Sequence, residues 1–285
     1  MGKNSGPGSP RFCIIPVPYE GTVCYRKGAA QGPSALLSAS AEVETYDDEL
    51  RTETIGEGFH VRGMLGCAGK GPEEVSALVK DEVRGALEGG MLPIVVGGEH
   101  SATIGAVEAF GKEVSVLCID AHADLRDELG GEKFSHACTM RRVRERAGKA
   151  VQVGVRDMSA ECARIAEGEA KGTVFGVDFD LDEVLGLLGE KVYVSIDLDG
   201  FDPSEVPGVG TPVPGGLRWA EGLALLRKVA ERKEIVGFDI MELAPIPNQV
   251  VSEFFAAKLL YRMAGYTSVS RGLVQPGVGW SHTTG

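Results

Sequence analysis

Two periods alternate along this chain. Residues 12–17 form a short apolar run, long enough for a strand buried on both faces and too short for a core helix. Gly32-Pro33-Ser34 then opens a helix, with Pro33 in the first turn where its missing N–H costs little. Residues 51–70 show no clean period and read as an irregular or weakly stranded excursion. From Pro72 onward Val75, Leu78, Val79, Val83, Ala86 and Leu87 recur at helical spacing, and Gly89-Gly90 stops that helix before a strand at 92–96. The same reading predicts helices near 101–110, 136–146, 182–188, 218–230 and 250–264. Strands are predicted at 114–119, 150–155, 172–177, from 192 and at 235–242. Helices alternating with strands over the whole length predict an α/β fold with a mostly parallel sheet, covered by helices on both faces. Such sheets bind ligands outside the carboxyl ends of their strands.

Those ends carry the unusual residues. The apolar run 192–196 closes on Asp197 and Asp199, with no basic residue beside them, and the run 114–119 closes on Asp120, His122 and Asp124. A third run ends in Gly97-Gly98-Glu99-His100. Residues two apart on an extended chain point the same way, about 6–7 Å apart, so each pair is expected to face one site. Buried carboxylates need a neutraliser, and a divalent metal or a pair of them is the natural one. Four aspartates against two divalent ions sum to zero charge, and oxygen-rich ligation with one histidine per ion suits Mn²⁺ better than a thiolate-rich zinc site. Two ions about 3.5–4 Å apart lower the pKa of a shared water toward neutrality. His136 and Glu242 lie within reach of the same crevice.

Composition narrows the surroundings. With 285 residues, 43% of them hydrophobic, the chain can bury a substantial core. No apolar run approaches 18 residues and no signal-peptide pattern opens the chain, so neither a membrane span nor secretion is expected and the cytoplasm is the predicted compartment. A net charge of −12 disfavours nucleic acid and anionic membrane as partners. It suits a cationic small molecule, and equally suits ordinary acidic solubility. Six cysteines without a CxxC pair fit reduced thiols. Residues 1–10, rich in Gly, Ser and Pro, read as a flexible tail, and 11–285 as one domain without repeat or linker.

Five ordered motifs carry a family resemblance: GGEH at 97–100, DAHADLRDE at 120–128, SHA at 135–137, SIDLDGFDPSEVPGVGTPVPGGL at 195–217 and DIMELAP at 239–245. Together they resemble the ureohydrolase family of arginases, agmatinases and related amidinohydrolases, agmatinase most of all. The resemblance implies a three-layer α/β/α fold, two manganese ions per subunit, and hydrolysis of a guanidino group to urea and an amine by a hydroxide bridging the metals. It also implies a homotrimer or homohexamer. Carried over by position, His100 and Asp124 complete one ion and His122 with Asp199 the other, while Asp120 and Asp197 bridge or bind beside them. His136 is implied as proton shuttle or substrate contact, Glu242 as acceptor for the guanidinium, and Thr211 as a lining residue of the guanidino pocket.

Plainer readings stand beside these. His136 as a loop brace, Glu242 as ion-pair partner of Arg126 or Arg156, Arg156 as a planar donor bracing loops, and Cys138 as a packing residue are the alternatives. Glu99, where many agmatinases carry aspartate, keeps the carboxylate and changes its reach. The expected reaction is agmatine to putrescine and urea. In arginases short polar residues before the shuttle histidine hold the substrate's α-carboxylate; here Glu132 and Phe134 stand there, and Ser159 replaces an acidic residue that would hold an α-ammonium. Lys133, in the same glycine-rich loop, is the one residue there suited to an anion. Guanidinobutyrate, arginine or another guanidino compound is the alternative substrate. A deacetylase-like zinc hydrolase and a silent metal-binding homologue are the rival classes, disfavoured because all six ligand-type residues are present.

Overall fold

The computed structural model describes residues 11–275. The tail expected at residues 1–10 lies outside them. Seven strands make one sheet: β1 (Phe12–Val17), β2 (Phe59–Val61), β3 (Leu92–Gly97), β4 (Ser115–Ile119), β5 (Lys149–Val153), β6 (Lys191–Asp197) and β7 (Glu234–Met241). Their order across the sheet is β2-β1-β3-β7-β6-β4-β5, and every pairing is parallel. Parallel pairing brings all carboxyl ends to one edge. The four central strands β3, β7, β6 and β4 therefore present Gly97, Met241, Asp197 and Ile119 side by side, and each candidate metal ligand stands at or just after one of these ends.

Among the described residues eight α-helices cover the sheet: α1 (Gly32–Ala39), α2 (Pro72–Glu88), α3 (Ala102–Phe110), α4 (Thr139–Arg146), α5 (Ala160–Glu167), α6 (Leu181–Leu187), α7 (Trp219–Arg232) and α8 (Val251–Ser270). Packing of α2 on α3 and α3 on α4 builds one layer, while α1, α6 and α7 join α8 in the other through α1·α8, α7·α8 and α6·α7 contacts. Strand residues alternate between the two faces as extended chain must. Cys13, Ile15, Val95, Val116 and Cys118 pack toward α2, α3 and α4, whereas Phe12, Ile14, Ile94, Leu117 and Ile119 pack toward α1, α7 and α8. Runs that looked continuously apolar are thus two interleaved faces of a three-layer α/β/α sandwich.

Two expectations need correction, and one helix went unpredicted. Residues 172–177 are not a strand; they run beside β5 as irregular chain, with the Phe175 N–H donating to Gln152 O at 2.9 Å and the Gly154 N–H to Gly176 O at 3.0 Å. Gly172 there holds φ 71, which interrupts extended backbone. Helix α5 had no strong apolar period, and its N-cap signal is Ser159, whose Oγ accepts the Cys162 N–H at 3.2 Å. The last helix runs six residues past the predicted end at 264, to Ser270. Buried Arg262 on its final turns binds Asp47 and Asp48 at 2.6 and 2.8 Å and also pairs with Glu49. This turns an unpatterned loop into a fixed cover.

Candidate metal centre

Two glycines bring the strand ends together. A Cβ on Gly98 would lie 2.0 Å from the Tyr19 carbonyl oxygen, and one on Gly200 would lie 2.8 Å from the Asp120 amide nitrogen. Neither approach is open to any other residue. Within each motif an Asx turn sets the spacing. Asp120 Oδ1 accepts the His122 N–H at 2.6 Å, and Asp197 Oδ1 accepts the Asp199 N–H at 3.0 Å. Asp199 lies in a 3-10 turn after β6, so these residues converge through turns rather than by alternation along an extended strand. Asp199 Oδ1 then takes the Ala121 N–H at 3.1 Å, tying the two motifs to each other.

The result is a compact group of carboxylates around two imidazoles. His100 Nδ1 lies 3.1 Å from Asp120 Oδ2 and 3.3 Å from both Asp124 Oδ2 and Asp197 Oδ2. His122 Nδ1 lies 2.9 Å from Asp199 Oδ2 and 3.7 Å from Asp120 Oδ1. Asp120 reaches both imidazoles with different oxygens. Two backbones are strained: Asp124 and Glu242 hold φ of 49 and 65, a left-handed conformation that costs a non-glycine residue about 1–3 kcal/mol.

The donor set fits metal. His100 Nδ1 and Asp120 Oδ2 are both buried and, although 3.1 Å apart, neither makes a hydrogen bond. Lone pairs that converge without a proton between them describe a cation site. The acid groups feel the same deficit. Burial, then the Asp199 and Asp120 charges, raise Asp197 well above the usual carboxylate range, and burial followed by Asp120 raises Asp124. Burial disfavours charge on His122, yet Asp120 and Asp199 overcome it and push the imidazole up to about 12. The converging carboxylates thus favour positive charge at this place. Cys118 also lies near His100 and Asp120, but it is on the other side of the ring, its Sγ 4.0 Å from Nε2. Burial holds its thiol at about 12, so it is a poor ligand.

Behind His100 stands a relay that the sequence did not announce. Ser195 Oγ donates to Asp239 Oδ1 at 2.7 Å and lies 3.1 Å from His100 Nε2, while Thr103 Oγ1 donates to Asp239 Oδ2 at 2.9 Å. With its proton given to Asp239, Ser195 accepts from His100, which fixes the proton on Nε2 and leaves the Nδ1 lone pair for a metal. Only the spacing of Ser195 two before Asp197 hinted at this.

A cavity of about 270 Å³ opens over the group, with His136, Thr211, Glu242, Asp157, Val23 and Met158 among its walls. Glu242 Oε1 accepts the His100 backbone N–H at 2.6 Å and pairs with neither Arg126 nor Arg156. Burial, then the charge of Glu99, raise the Glu242 carboxyl to about 8, which a cationic ligand would reverse. Thr211 Oγ1 lies 3.3 Å from Asp199 Oδ2. Arg156 braces loops, with Nη2 donating to Asp199 O at 2.7 Å and Val213 O at 2.6 Å. Cys138 is buried, its thiol pushed up to about 12 by burial, and acts as packing.

The loop 130–134 does not face the cavity. Glu132 Oε1 is taken by the Phe134 N–H at 2.8 Å, the Phe134 ring lies 5.3 Å under the Arg146 guanidinium, and Lys133 lies 3.6 Å from Asp127. Leu129 and Glu132 exchange backbone bonds of 3.0 and 3.1 Å across Gly130-Gly131, both with positive φ. That Gly-Gly turn carries Glu132 and Phe134 away from the pocket, and Asp157 is instead the acidic wall residue outside the candidate metal ligands and Glu242. Ser159 does line the cavity, with its hydroxyl engaged as the α5 cap.

A sequence model described as the arginase family matches residues 10–265, nearly the whole chain. The chain belongs to the arginase family. It is 38% identical over 273 residues to the N(1)-aminopropylagmatine ureohydrolase of Synechocystis, covering 90% of this chain and 89% of the relative. It is 35% identical over 264 residues to the agmatinase of Pyrococcus horikoshii, covering 90% and 92%. The crystal structure of the agmatine ureohydrolase of Thermoplasma volcanium superposes with a TM-score of 0.84 at 28% identity, covering 92% of both chains. This ureohydrolase is accordingly a hydrolase of guanidino or amidino compounds.

Proposed function

We propose that this ureohydrolase holds two Mn²⁺ ions and hydrolyses agmatine to putrescine and urea. His100, Asp124 and Asp197 would hold one ion, His122 and Asp199 the other, with Asp120 offering an oxygen to each. When bound, such a pair supplies the Lewis acidity that brings the pKa of water from about 15.7 toward neutrality. The chain's own residues do the rest. Glu242, already aimed into the cavity, accepts N–H bonds from the planar guanidinium, and Thr211 completes that wall. His136 hands a proton to the departing amine nitrogen, without which the C–N bond does not break.

The observation that carries the choice of agmatine is the charge of the cavity wall. Its only lysine or arginine side chain among the described residues is Arg126, and Arg126 lies 3.6 Å from Glu161. A substrate carboxylate entering there would lack a free partner, at a cost of about 1–3 kcal/mol or more, whereas an ammonium group meets Asp157. A second reading is favoured by the Synechocystis relative's name. Asp157, with its side chain 62% exposed at the rim, is placed to accept a further ammonium of an N-aminopropyl extension.

Urea release under Mn²⁺ saturation tests both. The expected order of kcat/KM places agmatine or its aminopropyl derivative above arginine and guanidinobutyrate by about tenfold or more. Preference for either carboxylate-bearing compound would overturn the substrate, and no urea from any guanidine would overturn the function. The same reading extends to assembly as a homotrimer or homohexamer.

A further inference from the structure

His136 is gripped from behind by residues that belong to a different part of the chain. Buried Glu99 accepts four bonds: Oε2 takes the Gly21 and Thr22 N–H groups at 2.8 and 2.7 Å, and Oε1 takes the Thr22 and Ser101 hydroxyls at 2.8 and 2.6 Å. The loop 20–22 is thereby pinned to the strand end that carries His100. Thr22 Oγ1 is in turn 2.9 Å from His136 Nδ1 and 3.0 Å from the His136 backbone nitrogen. On the far edge of the ring, Nε2 faces the exposed Cys24 thiol at 3.4 Å.

Proton counting fixes the directions. An ionised carboxylate only accepts, so the single Thr22 hydroxyl proton goes to Glu99. The Thr22 oxygen then has two lone pairs left and two nitrogens in contact. The backbone N–H of His136 fills one, and the other can only be filled if Nδ1 carries a proton, because two acceptors do not sit at 2.9 Å. Ser135 Oγ, at 3.4 Å from Nδ1, is too long to compete. The neutral ring therefore keeps its proton on Nδ1 and turns the Nε2 lone pair to the cavity, where the Cys24 S–H can donate to it.

We propose that Thr22 is the positioning residue of the proton shuttle, its hydroxyl, oriented by Glu99, holding His136 in the Nδ1–H tautomer so that Nε2 is the atom that takes and returns the proton. The proposal rests on the reading of His136 as proton donor to the departing amine. A free imidazole slightly favours its proton on Nε2, the arrangement that could not accept one there; Thr22 selects the other.

Two variants and one spectroscopic measurement test it. Thr22→Val keeps size and removes the hydroxyl; kcat for urea release should fall about 100-fold, with KM and bound Mn²⁺ unchanged. Thr22→Ser restores the hydroxyl and should restore most of the rate. Histidine ¹⁵N spectra of the zinc-loaded, diamagnetic enzyme at about pH 9, assigned with His136→Gln, should show His136 protonated at Nδ1 alone. In Thr22→Val the Nε2–H form should appear, and in Cys24→Ala it should not. Unchanged kcat in Thr22→Val, or Thr22→Ser as slow as Thr22→Val, or an Nε2–H signal for His136 in the unaltered enzyme would each overturn the proposal. If the unaltered enzyme released no urea from any guanidine, the function would fall, and the ¹⁵N spectra would still decide the tautomer.

Discussion

Replacing Ser195 by alanine isolates the support behind one metal ligand from the ligand itself. The hydroxyl lies 3.1 Å from His100 Nε2, and His100 is only 1% exposed, so bulk water does not reach it. After truncation Nε2 keeps the Cys118 Sγ at 4.0 Å, a weak acceptor. A buried donor left without a partner costs about 1–3 kcal/mol, and Asp239 Oδ1 simultaneously loses its 2.7 Å donor, keeping the Ile196 N–H at 3.3 Å. Part of this cost is felt by the metal-free protein as lost stability. The rest falls on the loaded state, which alone requires the Nδ1 lone pair to point at the ion with the proton on Nε2. At about 1.4 kcal/mol per tenfold, the ion beside His100 should bind about 10–100-fold more weakly. Competition against a chelator measures this directly, and activity should return as Mn²⁺ is raised. An equal loss of thermal stability with unaltered Mn²⁺ affinity would refute the reasoning, because it would make Ser195 a packing residue and nothing more.

Asp199→Ala removes the carboxylate 2.9 Å from His122 Nδ1 together with the acceptor of the Ala121 N–H, so one Mn²⁺ per chain should be lost and urea release should fall at least about 100-fold while circular dichroism stays that of a folded protein. Glu242→Gln keeps an acceptor for the His100 N–H but removes the charge offered to the guanidinium; kcat/KM should drop about 10–100-fold with two Mn²⁺ retained by elemental analysis. Val250, Val251 and Phe254, exposed by 71%, 51% and 44% at the start of α8, are apolar surface for an oligomer to bury, and sedimentation at micromolar concentration should give a trimer or hexamer rather than a 30.1 kDa particle.

Much of this was written in the sequence because charge in an apolar setting stands out. Asp120, Asp197 and His100 each close a run whose members are buried, and a carboxylate or imidazole at that place has few structural explanations. Parallel order followed from the same runs, since strands separated by helices can pair in few other ways. What failed was local. Residues 172–177 carry strand-type side chains but lie outside β5 at the sheet edge, where no further strand flanks them and Gly172 bends the chain. The loop 130–134 was weighed by the charges of Glu132 and Lys133, yet its direction is set by Gly130-Gly131, whose positive φ turns those charges outward.

The residues that could not be found are of one kind. Ser195, Thr103 and Thr22 are neutral hydroxyls, common in any strand or loop, and they act through partners between 44 and 136 positions away. Ser195 and Thr22 each lie between a buried carboxylate, Asp239 or Glu99, and a histidine, while Thr103 holds the second oxygen of Asp239, and in both cases the carboxylate fixes which way the hydroxyl points. The same device thus runs twice with opposite results: Asp239 and Ser195 put the proton of His100 on Nε2 and free Nδ1, whereas Glu99 and Thr22 put the proton of His136 on Nδ1 and free Nε2. In their proposed roles as ligand and proton shuttle, the two rings thus turn different nitrogens to the same cavity. The acid–hydroxyl pairs behind the two rings supply that difference, while the left-handed backbones of Asp124 and Glu242 supply the remaining carboxylates at the cost of local strain.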